Sequence, residues 1–456
     1  MHSNLEKPDK KLGPSVVDVQ LNQKQIKKKK LSERSAGYLL IFPSMLLILV
    51  VAIWPVLQSF YLSLFDLKLN DPTKSTVHLN YSFDLERYLN SAPFLISSID
   101  QEIQSGHHVD ELTKVKTQIN QFDAVLQKDP DIKKSYQTVN DKLMDFKSIS
   151  DDEALIPIDK KLSEQYQNMT HQVQQELKDV TKKAKLEQED KISGLANGLN
   201  DALIKSNFVG LQHYKENLSS PRTWLAIWNT LFFTVVSVAF ELVIGLAIAL
   251  LINKAFFGRG LIRASILIPW AIPTAVSALM WKFLYDGQNG IVAYLFEKVG
   301  LVDKMSDLLT TNTGAMFSVI FTDVWKTTPY MALLLLAGLL TIPSSLYEAA
   351  AIDGANKWQQ FIKITLPLLK SSLLVALLFR TLDAFRVFDL IFVLTGGGPA
   401  NSTETISILA YKVMFSQTNF GNGSSLSVIV FVCVAIISII YIKLLGADLI
   451  QDSNKK

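Results

Sequence analysis

The sequence predicts an all-α polytopic membrane protein, six transmembrane helices with a long antiparallel helical hairpin inserted between the first and the second. Three observations carry this expectation. The 456 residues are 49% hydrophobic and 19% charged, with a positive mean hydropathy, a balance that disfavours a compact soluble enzyme. Six apolar runs, near residues 36–64, 225–253, 261–285, 314–341, 371–394 and 424–446, reach the roughly 20 helical residues that cross about 30 Å of hydrocarbon. Between the first two runs lies a segment too polar for a bilayer, with apolar residues at heptad spacing.

In chain order, residues 1–33 are lysine-rich and poor in aromatics, which reads as a disordered cytoplasmic tail. The first span, over 34–66, ends in Trp54-Pro55 and Phe60-Tyr61, an interfacial belt. It is too long, and too far behind a polar leader, to be a cleaved signal peptide. Lys24, Lys27 to Lys30 and Arg34 precede span one, Lys254, Arg259 and Arg263 join spans two and three, and Lys357, Lys363 and Lys370 lie between spans four and five. All three clusters fall on one side of a six-span topology, so that side is cytoplasmic, as are both termini, with 447–456 as the second tail. A formal charge of +3 is too small to indicate nucleic-acid binding, and the lysine run reads as an anchor near anionic membrane lipid. Cys433, the single cysteine, sits inside span six and can form neither an intrachain disulfide nor a metal site.

Residues 67–210 form the extracytoplasmic insertion. Leu112, Val115, Ile119, Phe122 and Leu126 alternate steps of three and four, as do Ile132, Tyr136, Val139, Leu143 and Phe146, with Asp129-Pro130 between the two helices. A third run, Leu162, Tyr166, Met169, Val173, Leu177, Val180 and Ala184, continues through Ile192, Leu195, Leu199 and Leu203, with a stutter from Val173 to Leu177. The simplest arrangement is a coiled-coil hairpin with Asp151 to Pro157 near its tip, whose arms of about 45 residues reach roughly 65 to 70 Å. These stripes read as intramolecular core.

The membrane core, 211–446, holds five spans and a polar loop over 342–370. Ser345 and Glu348 stand at capping-box spacing behind Pro343, Asp353-Gly354 marks a turn, and Trp358, Phe361, Ile362 and Leu366 recur near helical spacing before Pro367. The product is a helix-turn-helix knob at the membrane surface. Glu348, Ala349, Ala350, Asp353, Gly354, Ala355, Phe361, Ile364, Leu366 and Pro367 together resemble the EAA loop of ABC importer membrane subunits. In that family the loop is the coupling helix that sits in a cleft of the ATP-hydrolysing subunit. The stretches NFVGLQHY, NTLFFTVVSVAFELVIGLAIALLIN, GRGLIRASILIPWAIP and FRTLDAFRVFDLIFVLTGGGP are similar to the first permease subunit of the maltose and trehalose type of carbohydrate importer. The resemblance spans 36–70 and 207–446 and leaves out the insertion, where the maltose-type subunit carries a β-rich domain.

Ionisable residues inside a bilayer are functional candidates by default. Span five carries Arg380, Asp383, Arg386 and Asp389 at steps of three, a ladder that can pair along one helix or line a polar cavity. In span four, Pro329 of WKTTPYM should break or bend the helix and free backbone groups at a ligand site. The resemblance implies a sugar pathway through Tyr330, Arg380, Asp383, Ala384 and Val387. Glu241 in span two reads as structural, bonded to a neighbouring helix. No GxxxxGK[ST] loop, HExxH, Cys/His metal spacing or nucleophile elbow occurs, so no residue is assigned a catalytic or metal-binding role, and His107-His108 reads as an incidental surface pair.

The reading is therefore a non-enzymatic transmembrane subunit of an ATP-driven sugar importer, multi-pass in a bacterial or archaeal cytoplasmic membrane, moving a di- or oligosaccharide by alternating access. The partners implied are a second permease subunit, two ATP-binding subunits that hold ATP and magnesium, and an extracytoplasmic solute-binding protein. A glycerol phosphate or polyol importer stays open through Arg380, since guanidinium suits phosphate. An ion-coupled carrier has no use for the EAA loop, and a sensory receptor needs a cytoplasmic signalling domain for which no segment is long enough.

Overall fold

A computed structural model of the chain describes residues 33–453 apart from 107, 184–185 and 255–256, with side chains described between 38 and 444. The lysines ahead of span one, the tail expected over 1–33 apart from its last residue, and His107 and Ala184 lie outside the described residues. Four helices are long and apolar enough to cross a membrane: Tyr38–Leu62 (span one), Pro221–Asn253 (span two), Lys357–Phe385 (span five) and Phe420–Leu444 (span six). Two bent pairs bring the total to six if each counts as one span: Arg259–Ala271 with Thr274–Leu284, bent by 88° (span three), and Asn312–Leu339 with Ser344–Ile352, bent by 71° (span four and the start of the knob). The expected runs fall on these elements.

The membrane core is built where spans two, four and five pack through Phe233, Met331, Leu335, Leu369 and Ala376. Span four lies close against span five at Gly338, where a Cβ would meet the Ser372 side chain at 2.5 Å. Only a residue without a side chain fits there. At the other end of span two, Arg222 forms a bidentate pair with buried Glu404 at 2.8 and 2.9 Å, and Lys412 reaches the same carboxylate at 2.8 Å. These bonds pin the glycine-rich loop after span five to the start of span two.

The insertion differs from the expected hairpin. It is a bundle of α1 (Leu85–Gln104), α2 (Val109–Leu126), α3 (Pro130–Met144), α4 (Lys160–Lys183) and α5 (Glu189–Asn200). Three short antiparallel strands, β1 (Ser82–Asp84), β2 (Leu155–Pro157) and β3 (Leu203–Ile204), close it in the order β2-β1-β3, with Phe83 opposite both Ile156 and Leu203. The longest helix has 24 residues, about 36 Å at 1.5 Å per residue, so no arm approaches 65 Å. The segment expected at a distant tip, Asp151 to Pro157, instead supplies β2, which pairs where the chain enters the domain.

Local chemistry accounts for the breaks. The Asp84 carboxylate accepts from the Arg87 amide at 3.0 Å and starts α1, and Asp129 caps α3 with Pro130 in its first turn. Gly106 and His108, both at positive φ, turn α1 into α2. A two-helix hairpin could bury one stripe only. Here the stripe of α2, from Leu112 to Leu126, is buried together with Leu85, Tyr88, Leu95 and Ile99 of α1 and Tyr166, Val173 and Leu177 of α4. More apolar surface leaves water this way. Phe146 is the exception among the expected core residues, since α3 ends at Met144 and the ring stands 97% exposed.

Within the bundle the Tyr88 and Tyr136 hydroxyls both donate to Asp123, at 3.2 and 3.0 Å. Burial and that carboxylate hold both phenols well above their usual pKa. Asn207 joins the segments that enter and leave the domain. Its side chain accepts from the His78 amide at 2.9 Å and donates to the Thr76 carbonyl at 2.8 Å. Ser82 and Ile204 are paired neighbours, so the domain is entered and left at one point.

A fragment of residues 80–206 should therefore unfold cooperatively by itself, with a helical circular dichroism spectrum. Phe122→Ala should remove about 3 to 5 kcal/mol of its stability, whereas Phe146→Ala should change it by less than about 0.5 kcal/mol. Chemical denaturation of the three fragments compares these values, and equal losses for the two variants would contradict the packing described.

Candidate functional site

The knob after span four is built by its caps. The first helix, Ser344–Ile352, begins directly behind Pro343, and no side chain caps it, so the box expected from Ser345 and Glu348 does not form. Starting at Ser344 puts Ser345 inside the helix, where its hydroxyl is past the capping position. Gly354, at φ 80°, closes the helix. The Ala355 amide donates to the Ala350 carbonyl at 2.8 Å and the Gly354 amide to the Ala351 carbonyl at 3.1 Å, the paired bonds of a left-handed C-terminal turn. The capping box stands eleven residues on, where Asn356 and Gln359 exchange bonds of 2.8 Å. Tyr347 and Thr365 hydroxyls, 3.0 Å apart, tie the two helices together.

The matched motif residues lie at the surface of this knob. Glu348, Ala349, Asp353, Gly354 and Pro367 are exposed, and Ala350, Ala355 and Phe361 half-buried. Beside them Ile352 is 87% and Trp358 69% exposed, an apolar patch of the kind that marks an interaction site. Pro367 does not end the second helix. One wide turn, Phe361–Thr365, absorbs it, and the helix runs on as span five.

Span five then delivers Arg380 into the middle of the bundle. The guanidinium is 1% exposed and makes four hydrogen bonds: two to Glu241 of span two, one to Asp323 of span four and one, at 3.1 Å, to Asp383. Thr327 donates to the same Glu241 at 2.8 Å. Glu241 is thus bonded to a neighbouring helix, as its position in an apolar span suggested. The first step of the ladder read along span five pairs, Arg380 with Asp383, and the ladder goes no further. The helix ends at Phe385, Arg386 turns back to the Leu382 carbonyl, and Asp389 starts a separate short helix.

Pro329 breaks nothing, because Asn312–Leu339 runs through it as one helix. The break lies in span three, at Ile272-Pro273, where Ile272 is extended at ψ 134°. Lys326 of span four, itself buried, donates to the carbonyls of Ile272 at 2.7 Å and Trp270 at 3.4 Å. The Trp270 ring stacks on Tyr330, with centroids 5.5 Å apart and planes 13° from parallel. Of the residues expected in a pathway, Tyr330 is half-buried in this stack, Asp383 is 67% exposed, Val387 is half-buried, and Ala384 and Arg380 are buried. Asp323, Lys326 and Trp270 were not anticipated, although two of them are ionisable residues inside an apolar run, which was the available signal.

A separate cavity of about 1170 Å³ opens against Trp228, Phe232 and Phe240 of span two and Phe317, Phe321 and Trp325 of span four. Its lining is apolar, which suits hydrocarbon rather than a hydroxylated ligand. The region around Tyr330 differs in character, with the stacked Trp270 and Tyr330 rings beside buried Lys326.

Because Arg380 joins three helices, Arg380→Met should leave two buried carboxylates unpaired and cost about 3 to 5 kcal/mol. The triple variant Arg380→Met, Glu241→Gln, Asp323→Asn should regain most of that. Thermal unfolding of the purified subunit in detergent checks both, and a triple variant no better than the single one would show that the pairing is not what stabilises the bundle.

Residues 241–450 match the model of the binding-protein-dependent transport system inner membrane component family. The chain is 47% identical over 236 residues to the trehalose/maltose transport system permease protein of Thermococcus litoralis, covering 52% of this chain and 79% of that relative. It is 45% identical over 240 residues to the trehalose transport system permease protein of Mycobacterium tuberculosis, covering 53% and 76%, and 37% identical to the sulfoquinovosyl glycerol permease of Agrobacterium fabrum, covering 53% and 78%. Among solved structures, a bacterial ABC transporter involved in alginate import aligns with a TM-score of 0.48 at 23% identity, covering 52% of this chain and 84% of that one. With close to half its aligned residues identical to a relative that it spans for most of its length, the chain belongs to the family of binding-protein-dependent transport system inner membrane components.

Proposed function

We propose that this chain, the permease subunit of a sugar importer, moves a disaccharide of the trehalose or maltose kind by alternating access. The driving ATP hydrolysis takes place on a separate subunit. One observation carries the reading. Span five begins in the exposed knob at Lys357 and continues as a single helix to Phe385, so Trp358 at the surface and Arg380 at the polar centre ride on one rod, about 33 Å apart along its axis. A displacement at the knob reaches the Arg380 cluster, which joins spans two, four and five, without an intervening joint. With the Trp270–Tyr330 stack of spans three and four as the sugar site, rigid-body rotation is then enough to change which side it faces.

In this reading the Glu348 to Ala355 turn and the Ile352 and Trp358 side chains seat in an ATP-binding subunit, two of which supply ATP and its magnesium. A second permease subunit completes the site. Asp383 argues for that second subunit, since a carboxylate 67% exposed at membrane depth must face a water-filled path or a polar partner rather than lipid. The knob and both termini are cytoplasmic, and the insertion lies outside, where a solute-binding protein delivers the sugar. The glycerol phosphate alternative loses its basis here, because Arg380 spends its donors on Glu241, Asp323 and Asp383.

The test is uptake of trehalose and maltose by membrane vesicles carrying the assembled importer, with and without ATP. Gly354→Leu, which forces a branched side chain into positive φ, and Trp358→Asp should abolish ATP-dependent uptake with normal membrane insertion. Asp383→Asn should raise the apparent KM about tenfold while leaving assembly intact. Uptake driven by an ion gradient instead of ATP would overturn the reading.

Replacing residues 82–204 by a short Gly/Ser linker should preserve co-purification of the ATP-binding subunits, since the excised ends are neighbours. Stimulation of ATPase activity by the solute-binding protein should fall. A linker variant that fails to assemble would make the insertion structural.

A further inference from the structure

The break in span three depends on a residue of span four. A lysine in the middle of a membrane helix ordinarily pairs with a carboxylate, yet the described hydrogen bonds of buried Lys326 go to backbone, to the Ile272 and Trp270 carbonyls. Those carbonyls stand immediately before the 88° bend. Pro273 has no N–H to offer the preceding turn, and the second half-helix begins only at Thr274, so the last carbonyls of the first half have lost their helical donors. In hydrocarbon no water replaces them. One ammonium, with three donors on a flexible stem, serves both.

The same contact fixes an aromatic ring. Trp270, whose carbonyl Lys326 holds, lays its indole on Tyr330, one helical turn beyond Lys326 on span four. Backbone and side chain of a single residue are thus gripped by two positions on one face of the opposing helix. We propose that Lys326 is a positioning residue for substrate recognition: it sets the angle of the broken span three and so the Trp270–Tyr330 stack, without contacting the sugar. This rests on the reading of that stack as the sugar-facing surface.

A double-mutant cycle tests it, using ATP-dependent uptake of trehalose and maltose by the full importer in vesicles. Trp270→Ala and Tyr330→Ala should each raise the apparent KM. Lys326→Met should raise it about tenfold, and Lys326→Arg, which can still donate to two carbonyls, should recover part of that. The decisive variant is Lys326→Met combined with Trp270→Ala, which should be no worse than Trp270→Ala alone, because a residue acting through the stack has nothing left to position. Effects that multiply, or a Lys326→Met variant whose KM is unchanged while only the amount of complex falls, would overturn the proposal alone. Unchanged KM in Trp270→Ala and Tyr330→Ala, or a wild-type importer that takes up neither sugar, would overturn the sugar reading and this inference with it. If Lys326→Met does not assemble, Lys326→Gln and Lys326→Arg are judged by the same KM criterion.

Discussion

The membrane core depends on satisfying polar groups where water is absent. Arg380 is the centre of that constraint: a guanidinium taken out of water is costly unless its donors are met by matched acceptors, and here acceptors arrive from spans two, four and five together. The helices are therefore registered to one another by charge as well as by packing. A slide of one turn along any of the three would separate the ions by about 5.4 Å, whereas the apolar contacts around Leu335 and Ala376 could re-form with other partners at modest cost. Packing holds the bundle together, and the ion cluster decides its register.

That division of labour suits a transporter. A moving part must be rigid along its length and able to swing as a unit, and span five combines both, with the knob at one end and the ion cluster near the other. The wide turn over Phe361–Thr365 is the one irregularity, and it sits beside the knob, where it admits Pro367 without severing the helix. Asp383 hangs off the same rod on the exposed side of Arg380, so an element that reports the state of the knob also presents a carboxylate to the proposed path.

Much of this was legible in the sequence because it rests on local rules. Six apolar runs, the Asp129-Pro130 cap, the turn at Gly354 and the buried stripe from Leu112 to Leu126 all follow from spacing and backbone preference. The shape of the insertion did not, because heptad spacing says which face of a helix is buried and not how many helices share the core. The helix Leu85–Gln104 is not among the heptad runs picked out in the sequence, although Leu85, Tyr88, Leu89, Ala92, Leu95 and Ile99 repeat at helical spacing. Its presence turns a hairpin into a bundle and brings Leu155–Pro157 back to the root.

The two prolines show where sequence reasoning stops. Both Pro273 and Pro329 remove a backbone donor from an apolar helix, and by composition Pro329, in the longer run, looked like the break. Ile272 is pushed to extended geometry by the proline that follows it, and Pro269 one turn earlier faces the same missing N–H, so this stretch cannot close a normal turn. That argument explains why Pro273 breaks a helix, but a break within a membrane survives only if something across the bundle donates to the freed carbonyls. Lys326 is 54 positions from Ile272 along the chain, and no local rule connects them. The location of the break is thus a property of two helices at once, and it becomes readable only when the fold has placed the lysine opposite the proline.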